Sequence, residues 1–241
     1  MIPLRDKNPT RRTPIVTWAL IGACLVAFAI ELSITAAGGD AALEDFFRRW
    51  GAVPRDITAA IDTGDYLSQA IVGMFTSMFL HAGWLHLLGN MLFLWIFGNN
   101  VEDRLGSIQF LLFYLAGGVA AALAQVVIGP QSTIPLVGAS GAIAAALGAY
   151  IVLFPGAKIL SLVFLGFFYQ LIEVPAIIVL GFWFALQLLS GFASFGAETA
   201  DGGVAFFAHI GGFVFGLVAG LLLRVVGAGT GRRGRPLGPM G

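Results

Sequence analysis

Only three histidines occur in the 241 residues, His81, His86 and His209, and all lie in or beside strongly apolar stretches rather than in the polar ends of the chain. An ionisable side chain in such surroundings is costly, so function is its default reading and its partner has to be named. His86 and Asn90 stand four apart in HLLGN, which puts an imidazole and an amide on one helical face. Two readings are open for that pair: a functional one, or an interhelical hydrogen-bonding pair that holds a bundle together. Ser140 lies in GASG, Gly138 to Gly141, at the head of another apolar run. A serine there can be a helix cap or a small packing residue, and the soluble-hydrolase elbow G-x-S-x-G is not met because position 142 is alanine. A helix N-terminus nonetheless offers free N–H groups and the positive end of the helix dipole, the electrostatics that a developing oxyanion needs. His209 stands in AHIGGFVFGLVAG, where Gly212, Gly216 and Gly220 recur every four residues along nearly its own face. Such spacing allows close helix approach, and the run after the serine has a matching small surface at Ser140, Ala144 and Gly148. The glycines alone mean only tight packing, but docking the two faces brings His209 towards Ser140 and puts an imidazole near a hydroxyl where an unpaired polar group would be penalised. Glu31 and Glu173 are the acids in or beside apolar runs, and neither has a spacing that ties it to His209, so no third carboxylate is assigned.

The elements that must position these groups follow from composition. With 58% hydrophobic and 11% charged residues and a mean hydropathy of +0.90, the chain is too apolar to be soluble, and the bilayer is its solvent. A helix needs about 20 apolar residues to cross about 30 Å of hydrocarbon. Segments 15–36, 108–128, 174–196 and 204–226 meet that length. The segment from Leu85 to Asn99 gains length from Met74 to Trp84, whereas Ser140 to Phe154 has only 15 residues and follows Pro130, Pro135 and Gly138. Such a short helix starts below the membrane surface, which is tolerated only where the irregular backbone before it is buried in protein or faces a wet cavity. The run Ile159 to Ile172, 14 residues before Glu173 and Pro175, fits a seventh span, a re-entrant piece or an interfacial segment.

Charge selects six spans. They place ten of the thirteen basic residues on one side, the N-terminal Arg5, Lys7, Arg11 and Arg12, the turn residues Arg104 and Lys158, and Arg224, Arg232, Arg233 and Arg235, so both termini are expected in the cytoplasm. A seventh span would send the basic tail outward. It would also carry His209 towards the cytoplasmic face, roughly 15 Å or more from Ser140 by the rise of a helix, whereas six spans keep His86, Ser140 and His209 at one outer level. The expected organisation is an N-terminal cytoplasmic segment over 1–14, an all-α six-helix membrane domain over 15–226, and a disordered Gly/Arg-rich tail over 227–241. Gly38 to Tyr66 becomes an external loop with a partly amphipathic segment on the bilayer surface. The apolar run Ile15 to Ala37 exceeds a signal-peptide core and is read as an uncleaved first helix, and the lack of a transit-like leader favours a plasma membrane. The single cysteine, Cys24, excludes an internal disulfide or a cysteine metal cluster and is read as a packing residue. A formal net charge of zero gives no global support for binding nucleic acid.

HLLGN, GASG and AHIGGFVFG, in that order on the second, fourth and sixth spans, resemble the signature of rhomboid intramembrane proteases, with further likeness at His81, VEDRLG (Val101 to Gly106) and RRWGAVP. The resemblance covers Arg48 to Val226. It implies Ser140 as nucleophile, His209 as general base, and the Ser140 N–H, His86 and the Asn90 amide as oxyanion donors, with His81, Gly138 and Gly141 in support. It further implies that Glu102 and Arg104 are structural, that the loop near Phe192 to Phe206 caps the site, that no metal or cofactor takes part, and that the substrates are membrane-spanning proteins. One departure is Ala144, where many rhomboids carry an aromatic residue that stacks on the histidine; a neighbouring Phe is the expected substitute. Two other classes compete. A catalytically inactive relative that binds transmembrane helices would have lost the serine or the histidine, and both are present. A transporter could also use a broken helix and buried histidines, but no acidic relay or inverted repeat is visible.

Overall fold

A computed structural model describes residues 1–165, 168–193 and 206–229 of the chain. Among the described residues three helices are long and apolar enough to cross a bilayer: α1 (Ile15–Trp50), α6 (Ser107–Ile128) and α9 (Phe206–Gly229). A fourth crossing is a broken one. It runs from α3 (Gln69–Thr76) and a tight turn at Ser77–Phe79, through a bend of 79°, into α4 (Trp84–Phe93), a wider turn at Leu94–Gly98 and α5 (Asn99–Leu105). Two shorter apolar helices, α7 (Ser140–Leu153) and α8 (Ala176–Ala193), complete the six helical elements in their expected order. Every residue of α7 from Ala142 to Tyr150 is buried, so this short helix is the axis around which the bundle is built. The remaining helices turn apolar side chains such as Leu112, Val127, Phe182 and Leu222 outward, as a bilayer requires.

Two parts of the chain depart from expectation. Gly38 to Tyr66, expected as a loop with a partly amphipathic segment, carries more helix than that: α1 continues to Trp50, and α2 (Pro54–Thr63) follows directly. The continuation is bent at Gly39, whose φ of 71° and ψ of −169° turn the helix where a residue with a side chain would be strained. The run Ile159 to Ile172 crosses nothing. It forms strands β2 (Lys158–Leu165) and β3 (Phe168–Pro175), paired antiparallel, and β2 also pairs with β1 (Ile2–Asp6), giving a three-stranded sheet in the order β1-β2-β3. The helical bundle therefore carries a small sheet that its apolar periodicity did not announce. The N-terminal segment is bonded to the membrane domain through β1. It is further tied by Asp6, which accepts hydrogen bonds from Tyr150 Oη at 2.7 Å and Asn100 Nδ2 at 2.5 Å, and by the Lys7–Glu173 ion pair at 2.8 Å. Helix α9 runs to Gly229, three residues past the expected boundary; the rest of the tail, 230–241, lies outside the described residues.

Glu102 shows how a buried charge is held in such a bundle. Only 2% exposed, its carboxylate accepts hydrogen bonds from Val16 N at 3.0 Å, Thr17 N at 2.8 Å and Thr17 Oγ1 at 2.8 Å, and from Ser107 Oγ at 2.7 Å. One side chain thus satisfies free N–H groups at the start of α1 and joins it to the starts of α5 and α6. Arg104 does not share this part: it is exposed and has no side-chain hydrogen bond or ion pair among the described residues, so the structural role expected of it has no contact to carry it.

Candidate active site

The backbone before α7 decides where Ser140 sits. The prolines at 130 and 135 prevent a helix from starting early, and the irregular stretch they leave is satisfied inside the protein. Leu136 exchanges hydrogen bonds with Ala52, with N···O distances of 2.8 and 3.0 Å, and Ser132 O accepts from Arg55 N at 3.0 Å. The Gly138 N–H donates to Ser77 O at 2.9 Å. Gly138 has a φ of 129°, and a Cβ built on it would stand 2.7 Å from His86 Nε2 and 3.4 Å from Ser140 Oγ. Both backbone conformation and space therefore require glycine in the GASG segment, and the absent side chain leaves the gap between His86 and Ser140 open. Ser140 is the first residue of α7, so its N–H and those of Gly141 and Ala142 have no partner within the helix.

Helix α9 brings the imidazole. A side chain at Gly212 would run into the carbonyl oxygen of Gly141, one at Gly216 into that of Ala145, and one at Gly220 would press on Ala149. The three glycines thus seat α9 directly on α7, on the row Gly141, Ala145 and Ala149. This is one residue along from the expected row of Ser140, Ala144 and Gly148, of which Gly148 takes part by admitting the backbone of Phe213. Gln125 of α6 fixes the height of α9 by accepting the Ala208 N–H at 3.2 Å in its first turn. At that height His209 Nε2 meets Ser140 Oγ at 2.7 Å, and the other ring nitrogen, Nδ1, lies 2.7 Å from Gln187 Oε1 on α8. The position left open by Ala144 is filled from α8: the Trp183 ring lies 5.9 Å from the His209 imidazole, inclined at 43°. The expectation of a phenylalanine there is corrected to this tryptophan.

His86 and Asn90 come from α4. Both line, with Ser140 and His209, a cavity of about 880 Å³ bounded also by Trp183, Phe47 and Arg48. Asn90 is 8% exposed and its Nδ2 has no hydrogen-bond partner among the described residues, which leaves an N–H donor free at the cavity wall. His81 stays out of the cavity. Its ring packs edge-on to His86 at 5.2 Å, its Nδ1 is 3.1 Å from Phe79 O, and its backbone N–H donates to the buried Glu31 of α1 at 3.0 Å. It supports His86 rather than facing a ligand. The loop expected to cap the site falls mainly on 194–205, outside the described residues.

Sequence reasoning missed Gln187, Trp183, Gln125 and the link from Glu31 to His81. A signal for the first two exists in the chain: Gln187 is an amide in a strongly apolar helix and lies one turn from Trp183, and intramembrane polar groups rarely lack a partner.

The family profile of the Rhomboid domain matches residues 68–225, which include His81, His86, Asn90, Gln125, Ser140, Trp183, Gln187 and His209. The chain is 32% identical over 165 residues to Rhomboid protein 1, mitochondrial, of Saccharomyces cerevisiae, a match covering 65% of this chain and 42% of that protein. It is 35% identical over 157 residues to Rhomboid protease GluP of Bacillus subtilis, covering 65% of this chain and 27% of that one. Over 68 residues it is 44% identical to Rhomboid-like protein 11, chloroplastic, of Arabidopsis thaliana, covering 28% and 24%. The match spans less than half the length of each of these relatives. The chain is a polytopic membrane protein and belongs to the rhomboid family.

Proposed function

We propose that this protein is an intramembrane serine endopeptidase that cleaves membrane-spanning proteins by a Ser140–His209 dyad. The observation that carries the reading is the 2.7 Å contact between Ser140 Oγ and His209 Nε2 at the wall of a cavity. In that geometry His209 takes the hydroxyl proton as Ser140 attacks the scissile carbonyl, and returns it to the leaving amine as the tetrahedral intermediate collapses. Water then repeats the sequence on the acyl-enzyme: His209 takes its proton as it attacks the ester carbonyl, and returns a proton to Ser140 Oγ as the carboxylic acid product leaves. The oxyanion forms beside the unpartnered N–H groups that open α7, within reach of His86 and the free Asn90 amide, so donors stand ready where negative charge develops. Names of relatives such as Rhomboid protease GluP point the same way.

The substrate is a transmembrane helix cut near its outer end, where local unwinding frees a peptide bond that a helix would hydrogen-bond and shield. The membrane is a plasma membrane, with both termini in the cytoplasm and the cavity opening outward. An inactive helix-binding relative has no observation in its favour, since hydroxyl and imidazole are both present and in contact. The test is cleavage of a panel of single-span substrates by the full chain in proteoliposomes. Ser140→Ala and His209→Ala are expected to abolish cleavage while the thermal unfolding midpoint holds; cleavage retained by Ser140→Ala removes it as nucleophile.

A further inference from the structure

We infer that Gln187 is the positioning residue for His209, its amide oxygen selecting the ring tautomer in which Nε2 is free to take a proton. The inference rests on the dyad reading above and adds to it the member that a search for carboxylates left out. For Ser140 to donate its proton, Nε2 must be bare, and the imidazole proton must then sit on Nδ1. An N–H at that depth needs an acceptor, because apolar surroundings supply none. Gln187 Oε1 is 2.7 Å from Nδ1, and no other partner of that nitrogen is present among the described residues. The same logic orients the amide: an NH₂ group turned towards Nδ1 would select the tautomer whose proton occupies Nε2, and base and nucleophile could not then exchange a proton.

An amide differs from a carboxylate in what it contributes. It fixes the ring and the tautomer but adds no negative charge to stabilise the imidazolium, and it avoids placing a carboxylate at membrane depth, which is costly. Trp183, one turn earlier on the same face of α8, lies against the imidazole. Helix α8 therefore holds the base by two contacts of different kinds while its outward face, with Ile178, Phe182 and Leu189, is exposed. Among the described residues the charged or titratable groups on the cavity are Glu44, Arg48, His86 and His209 itself. Ser140 faces the imidazole from α7, and the uncharged Gln125 of α6 binds at the base of α9.

The experiment measures cleavage of a single-span substrate by the full chain in proteoliposomes as a function of pH for Gln187→Leu and Gln187→Glu. Gln187→Leu is expected to lower kcat about ten- to a hundredfold, by analogy with the loss of the hydrogen-bonding partner that orients a metal-ligating histidine, with KM within about twofold. Gln187→Glu restores an acceptor, so it is expected to recover most of the kcat lost in Gln187→Leu. Its charge favours the imidazolium, so the acidic limb of kcat/KM is expected to move to higher pH. Wild-type kcat in Gln187→Leu overturns the inference, as does a Gln187→Glu enzyme no better than Gln187→Leu. Should Gln187→Leu fold poorly, the limb in Gln187→Glu decides alone: a move upward supports the assignment and an unmoved limb overturns it. Failure of the dyad reading looks different, because Ser140→Ala or His209→Ala would then still cleave.

Discussion

Two side chains 69 residues apart in sequence meet within hydrogen-bonding distance because the groups around them leave a defined space. Gly138 is the clearest case, since its missing Cβ is the gap in which His86 and Ser140 face each other. Gly138→Ala is expected to abolish cleavage and to lower stability by about 1–3 kcal/mol, the usual range for overpacking a close contact; normal activity in that variant would contradict the geometry. Asn90→Ala is expected to lower kcat about a hundred- to a thousandfold, as removal of one oxyanion donor does, with little change in KM; an unchanged kcat removes Asn90 from the oxyanion site. At this scale the sequence revealed the serine, the three histidines and the asparagine, because polar groups in apolar runs stand out. Gln187 carried the same kind of signal without being singled out, and Trp183 was missed because α8 is apolar around most of its circumference, so its sequence alone does not say which face meets His209.

Helices α7 and α9 are joined by backbone contact rather than by interdigitating side chains, which is why the glycine spacing made their pairing legible before the fold was known. Its register was less so: small residues occupy neighbouring rows of α7, and a pattern of small residues cannot distinguish a shift of one position. Gly216→Val is expected to push α9 off Ala145, separating His209 from Ser140, with loss of cleavage and a lower midpoint of thermal unfolding. Retention of both would show that the two helices do not meet there. The β2–β3 hairpin escaped notice for a related reason. An apolar run of 14 residues fits a buried strand or a helix segment equally by periodicity, and the aromatic and branched residues favouring strands were outweighed by the apolar context. Pairing with β1 supplies the long-range hydrogen bonds that decide the matter.

At the scale of the whole molecule, Glu102 joins the starts of α1 and α6, and the sheet ties the N-terminal segment to α7 and α8. In the proposed topology these features lie on the cytoplasmic side. Cys24 is buried, so introduced cysteines report sidedness against a quiet background. Arg11→Cys and Arg224→Cys are expected to resist a membrane-impermeant maleimide in intact cells, while Asp62→Cys reacts; the opposite pattern would invert the topology. The central claim is that Ser140 is a nucleophile activated by His209, and covalent labelling by a fluorophosphonate, with the adduct mapped by mass spectrometry, tests it most directly. The account predicts an adduct on Ser140 that is lost in Ser140→Ala and in His209→Ala; undiminished labelling in either variant, or an adduct only at another residue, would contradict it.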